Sequence, residues 1–154
     1  MVWPATIPTF TAGVVASEAD LDAITDALHA IGDAWTAYTP ALTGWTLGNG
    51  TISGAYAQTG ELVRFRLKLI LGTTTVVSSN PTITLPVNAI AARAFAFAAG
   101  AYRVSTTTHY GLDAMNHAVG GIVVKDGANN LSTTAPFSWA ATDELYVSGE
   151  YEAA

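Results

Sequence analysis

The chain has 154 residues, half of them hydrophobic, and carries a net charge of −6 from twelve acids and six bases. This length fits one ordinary domain. The excess of acids excludes a nucleic-acid partner, because phosphate binding needs a basic surface. The absence of cysteine excludes disulfides and thiolate metal sites. Only 12% of the residues are charged, and such a surface suits a protein that packs into assemblies, because unpaired charges are costly to bury.

The first 16 residues predict an extended arm that docks onto another surface. Pro4 and Pro8 fix φ and bias the preceding residues towards extended geometry. The large apolar residues of the arm follow no regular spacing: Trp3, Ile7 and Phe10. The arm packs either on its own domain or on a partner, and both alternatives stay open. Because the start has no basic signal-peptide region and no apolar run approaches the roughly 20 residues that span a bilayer, we expect neither Sec export nor membrane insertion.

A short acidic helix is predicted from Ser17 to about Ala34. Ser17 is a suitable N-cap, and acids in the first turn interact favourably with the helix dipole. The apolar residues recur at intervals of three and four, as in the a/d seam of a coiled coil: Leu21, Ile24, Leu28, Ile31 and Trp35. Either this seam packs on the rest of the same chain, or copies of the helix associate. The narrow stripe favours association, but so short a helix is marginal alone, so other residues must complete the interface.

From Thr36 onward the apolar spacing changes to two, which predicts strands. Eight or nine short strands are separated by turns rich in Gly, Pro and Asn. The predicted fold class is therefore mainly β, an antiparallel β-sandwich of jelly-roll type. It occupies residues 36–154, and residues 1–35 form the preceding extended arm and single short α-helix. The N-terminal part is expected to serve assembly.

The clearest predicted strand is Glu61–Leu71, in which apolar and basic residues alternate. One face of this strand carries half of all the bases in the chain: Arg64, Arg66 and Lys68. Three interpretations stay open for this basic face. It is solvated, it accepts acidic groups such as those of the predicted helix, or it binds a sugar or an anion.

No residue pattern predicts catalysis or a cofactor. The chain lacks the Gly-x-Ser-x-Gly elbow of serine hydrolases and the glycine-rich loops that bind nucleotides. His109, Asp113 and His117 are spaced by four and would share one face of a helix, where they could bind a metal. Gly111 and the preceding threonines argue against a helix, so we expect no metal site. The best candidates for exposed aromatic residues that stack on a sugar are three tyrosines: Tyr102, Tyr110 and Tyr146.

Several motifs in the chain follow a recognisable order. They are Phe10–Leu21, Trp35–Gly44, a Gly-Asn-Gly-Thr turn at 48–51, Gly54-Ala-Tyr56, the alternating strand Val63–Leu69 and the closing segment Pro136–Leu145. Together they resemble the β domains of tail-fibre and minor tail proteins of phages that infect high-GC Gram-positive bacteria. The resemblance implies a structural role in a virion, trimeric assembly and no enzymatic activity. It supplies no catalytic or receptor-binding residues.

We therefore expect a structural bacteriophage protein in a tail fibre, tail tip or capsid surface position, assembled in the host cytoplasm into the virion. Its expected partners are its own copies, as a homotrimer, other virion proteins and a glycan of the host surface. The alternative is a carbohydrate-binding module that recognises glycans of the host cell envelope. A hydrolase of cell-wall glycans ranks lowest, because no pair of carboxylates is singled out for the task.

Overall fold

A computed structural model describes residues 17–19, 21, 22, 24, 35–91, 93–117 and 120–154, with only the backbone at 79 and 80. The chain divides into two compact units, Met1–Trp35 and Thr36–Ala154. In the first unit the described residues from Glu18 to Ile24 are helical, and the Leu21 N–H donates to the Ser17 carbonyl at 3.2 Å. The predicted arm and most of the predicted helix, including Leu28 and Ile31, lie outside the described residues.

The described residues of the second unit form ten strands and one short 3-10 turn, Val104–Thr106. The strands are β1 Thr36–Tyr38, β2 Leu42–Thr46, β3 Thr51–Thr59, β4 Leu62–Ile70, β5 Val76–Thr84, β6 Ala96–Arg103, β7 Thr108–His117, β8 Gly121–Asp126, β9 Asn129–Asn130 and β10 Glu144–Glu152. They form one sheet in the order β1-β3-β4-β10-β6-β7-β8-β5-β2, and β9 pairs with β8. All pairings are antiparallel. The predicted mainly β, antiparallel, sandwich-like class is confirmed.

The two edge strands of this sheet, β1 and β2, follow each other directly in the chain. Only residues 39–41 separate them, so Tyr38 and Leu42 are at most about 14 Å apart. Two edges that close together require the sheet to curl around a common interior. The connection is itself paired with β5, since Ala41 and Thr84 exchange hydrogen bonds of 2.8 and 2.9 Å.

The interior is filled by alternate residues of the strands, most clearly in β4. Four of its side chains are buried: Val63, Phe65, Leu67 and Leu69. Phe65 packs edge-to-face against Phe97 of β6 and Tyr151 of β10, with ring centroids 5.0 and 5.8 Å apart. Each large apolar side chain that is fully buried stabilises the fold by about 1.5–3 kcal/mol. The opposite side chains of β4, including the basic ones, point to the outer face of the sheet.

The turn between β2 and β3 is held by the connection between β4 and β5. Gly48 has a φ of +57°, and a Cβ there would collide with Thr74. The Asn49 side chain accepts from the Thr74 N–H at 3.0 Å and donates to the Thr73 hydroxyl at 2.9 Å. The glycine and asparagine of this motif are therefore required by the close approach of two loops.

Candidate binding surface on the outer face of the sheet

Four adjacent strands, β3, β4, β10 and β6, place their outward residues in two rows across the sheet. The first row is Ser53, Lys68, Tyr146 and Gly100, and the second is Ala55, Arg66, Ser148 and Ala98. Side chains that oppose each other directly have Cβ atoms about 4.5–5.5 Å apart. Because most of these positions hold Ala, Gly or Ser, the larger side chains border an open trough of about 620 Å³.

The trough is basic, although the protein is acidic. Among the described residues that line it are two bases, Arg66 and Lys68, and no acid. The whole chain, by contrast, has twice as many acids as bases. Opposite charge is the usual basis of selective attraction of a ligand to a cleft, so this trough favours anions.

The side chain of Lys68 is held at the border of the trough by two neighbours on β10. Its ammonium lies 2.8 Å from the Glu144 carboxylate and 5.2 Å from the centroid of the Tyr146 ring. An ion pair at the surface contributes only about 0–1 kcal/mol to stability. The main effect of these contacts is therefore to position the ammonium.

Two of the three bases on the outer face of β4, Arg64 and Lys68, pair with acids of β10. Arg64 opposes Glu150 directly in the sheet, and the guanidinium Nε lies 2.9 Å from the Glu150 carboxylate. Lys68 pairs with Glu144, which lies diagonally from it on β10 and directly opposes Ile70. A contact between this face and acids of the predicted helix stays a prediction.

The three candidate tyrosines do not form one surface. Tyr102 and Tyr146 share the outer face on adjacent strands, since Tyr146 opposes Gly100, two residues from Tyr102. Tyr102 also stacks on His109, with ring centroids 4.5 Å apart and planes 25° apart. Tyr110 instead packs against the core, with its ring 4.6 Å from that of Phe137. Tyr110 is therefore partly buried rather than exposed as predicted, because alternation along β7 turns it inward.

The histidines and aspartate considered for a metal lie on a strand. His109, Asp113 and His117 all face outward on β7, and four residues of strand separate each from the next by about 13 Å. At that spacing they cannot converge on a single ion. Within the part of the chain that the structure describes, no group of three or more His, Cys, Asp or Glu is placed to hold a metal.

Asp143 is the one buried polar or charged side chain among the described residues. Its two carboxylate oxygens accept hydrogen bonds from the Val104 N–H at 2.9 Å and the Ala140 N–H at 2.8 Å. The carboxylate thereby ties the turn before β10 to the end of β6. Nothing in the sequence singled this residue out, because its partner Val104 is distant in the chain.

The described residues of the heptad seam are Leu21, Ile24 and Trp35. Leu21 is 55% exposed and Trp35 is 44% exposed. Among the described residues, no helix is long and apolar enough to cross a membrane.

The geometry defines a class: an antiparallel β protein with an open basic trough on the outer face of its curled sheet. Comparison of the chain with known proteins finds no match, whether to protein-family models, curated proteins or solved structures.

Proposed function

We propose that this chain is a non-enzymatic structural protein of a bacteriophage virion that assembles with copies of itself. The observation that carries the proposal is the position of the motifs that resemble phage tail proteins. Those at 35–44, 48–51, 54–56 and 63–69 are neighbours in sequence and fall on β1, β2, β3, β4 and the turn between β2 and β3. Of these strands, β1 pairs with β3 and β3 pairs with β4, whereas β2 lies at the other edge of the sheet and pairs with β5.

Three residues illustrate how these motifs depend on one another. Tyr38 of β1 opposes Gly54 of β3, and a Cβ on Gly54 would collide with the Tyr38 ring. The Tyr38 ring then packs edge-to-face on Tyr56, with centroids 5.9 Å apart. The proposal treats these motifs as parts of one framework, since their residues pack against one another in the fold.

Assembly with copies is supported by the first unit and by the composition. Exposed Leu21 and Trp35 belong to a seam with coiled-coil spacing. Burying apolar surface stabilises association by about 25 cal/mol per Å² before the costs of binding. The low share of charged residues leaves few charges to desolvate in such an interface.

The mass of the protein in solution tests the assembly. We expect a homotrimer of about 48 kDa, three times the 15.9 kDa of the chain, by sedimentation at micromolar concentration. Leu28→Asp places a charge in the seam and should yield monomers, whereas Ala30→Asp adds the same charge outside it and should leave the trimer intact. A wild-type monomer, or equal masses for the two variants, would contradict the assembly proposal.

The virion role is tested separately. We expect mass spectrometry to detect the chain in purified phage particles. We also expect the gene that encodes it to lie among genes for capsid or tail proteins. Absence of the chain from intact particles would refute the role.

A second candidate function, carbohydrate binding, is favoured by one specific observation. Tyr102 and Tyr146 share the outer face beside the trough. This candidate is compatible with a virion role, since a surface protein can both build the particle and contact the host.

A further inference from the structure

We propose that the trough on the outer face binds an anionic saccharide. In this arrangement Arg66 and Lys68 bind the acidic group, and Tyr146 contacts the sugar ring. The inference deepens the carbohydrate-binding candidate by naming a ligand class and a site. It does not require a virion role, and its test is independent of the mass measurement.

The shape of the trough fits a short saccharide. Its volume of about 620 Å³ lies within the roughly 300–1,000 Å³ that is usual for small-molecule sites. Crossing four strands gives it a length of about 14 Å. Its floor is made by Ala55, Ala98 and Gly100, and the hydroxyls of Ser53 and Ser148 lie along it. A flat floor with hydroxyl groups suits a polyhydroxylated ring better than the side chains of a peptide, which need pockets.

The charges in the trough select an anionic ligand. The Arg66 guanidinium has a planar fork of N–H donors that matches a carboxylate or phosphate. The Lys68 ammonium has three donors, of which Glu144 takes one at 2.8 Å. At least one Lys68 donor is left for a ligand, and Glu144 and Tyr146 hold the ammonium in place. A neutral saccharide would offer no acidic group to either cation.

The Tyr146 ring is placed to contact the ring of the sugar. On its β4 side it lies against the Lys68 ammonium. On its β6 side the opposing residue is Gly100, which has no side chain to cover it. Tyr146 is 38% exposed, and the C–H groups of a sugar can therefore pack on the uncovered side. Tyr102, the diagonal neighbour on β6, lies on the same outer face and stacks on His109.

Titration calorimetry with the full chain tests the proposal. The probes are tri-galacturonate and mannose 6-phosphate, compared with the methyl ester of the trimer and with mannose, and inorganic phosphate serves as an anion without a ring. We expect at least one anionic saccharide to bind about tenfold or more tightly than its neutral form and than phosphate. Binding should weaken as salt is raised.

Two arginines on the same face of β4 provide matched variants. Arg66 lines the trough, whereas Arg64 does not and pairs with Glu150. Arg66→Gln should weaken saccharide binding by about tenfold, the loss of a charge-assisted contact, and Arg64→Gln should change it by less than about twofold. Tyr146→Ala should also weaken saccharide binding. Circular dichroism of each variant serves as the control for folding.

Four results of the binding measurements would overturn the proposal. These are no binding of either anionic saccharide, equal binding of neutral forms, phosphate binding as tight as saccharide binding, and equal losses for Arg66→Gln and Arg64→Gln. If Arg66→Gln instead abolishes self-association, the trough is a contact between copies, which also overturns it. A trimer that binds no saccharide contradicts only this inference, and a monomer that binds one contradicts only the assembly.

Discussion

The hydroxyl of Tyr151 bonds to both backbone groups of Val87, donating to the carbonyl at 2.7 Å and accepting from the N–H at 3.2 Å. The Tyr151 ring lies in the core, against the rings of three phenylalanines: Phe65, Phe95 and Phe97. A residue of the central strand β10 thus anchors the connection between β5 and β6.

Replacing Tyr151 with phenylalanine should lower the free energy of unfolding by about 1–3 kcal/mol. The ring is retained, but the Val87 N–H and carbonyl lose their partner, and unsatisfied buried polar groups are costly. Urea unfolding at neutral pH measures the change. An unchanged midpoint would mean that water replaces the hydroxyl without cost.

Removing the Tyr38 hydroxyl should not lower the free energy of unfolding as removing the Tyr151 hydroxyl does. The Tyr38 hydroxyl is buried, and the described residues offer it no hydrogen-bond partner. Tyr38→Phe removes a desolvated group and should leave stability unchanged or raise it by about 1 kcal/mol. The same urea titration measures this, with Tyr151→Phe as the matched comparison. A loss equal to that of Tyr151→Phe would contradict the absence of a partner.

Alkaline pH should destabilise the β domain through these two tyrosines. Burial raises the pKa of Tyr151 to about 12, although the Val87 hydrogen bond opposes the shift, and burial also raises the pKa of Tyr38. In an unfolded chain the pKa is about 10. Folding therefore favours the protonated form of each tyrosine. The contribution of the two protonated tyrosines to the free energy of unfolding is fully present below about pH 10 and is lost as pH rises through about 12. The free energy of unfolding, measured across this range, should fall less in a Tyr38→Phe, Tyr151→Phe double variant.

Asp143→Ala should cost about 3 kcal/mol. The Val104 and Ala140 N–H groups lose a charged acceptor, and bonds to charged groups are worth about 1.5–3 kcal/mol each before relaxation. Asp113→Ala is the control, because Asp113 is exposed on β7 and surface changes stay within about 0.5 kcal/mol. Equal shifts in thermal midpoint for the two variants would contradict this role of Asp143.

Substitutions at two glycines distinguish the stability cost of backbone strain from that of a steric collision. Gly48 and Gly127 have nearly the same φ, +57° and +58°, but only Gly48 has atoms of another loop, Thr74, where a Cβ would stand. Gly127→Ala should cost about 1–2 kcal/mol for the left-handed backbone. Gly48→Ala should cost more, because Thr74 must also move. Similar losses in chemical denaturation would mean that the loop of Thr74 adjusts freely.

The sequence predicts strands well where alternation is strict. In β4 the apolar and basic faces are visible from the residues alone, and the structure confirms this strand. The pairing of Arg64 with Glu150 could not be predicted, because alternation shows which side a residue faces but not which strand lies beside it. The same limit applies to the trough, which requires the register of four strands.

Local sequence patterns did not predict burial where residues distant in the chain determine whether a side chain is exposed. Tyr102 and Tyr110 look equally exposed in sequence, yet Tyr110 turns inward onto Phe137. Asp143 looks like an ordinary surface acid next to Glu144, yet its side chain is buried and accepts a hydrogen bond from the Val104 N–H. Only the tertiary contacts distinguish the members of each pair.

The place of β10 between β4 and β6 also governs when a newly made chain can fold. Ribosomes add about 5–20 residues per second, so β4 and β6 emerge seconds before the strand that joins them. During that interval each has an open edge, which can pair with the edges of other nascent chains. The sheet can therefore be completed only after β10 has been translated, and until then β4 and β6 each keep an edge that is paired in the finished fold.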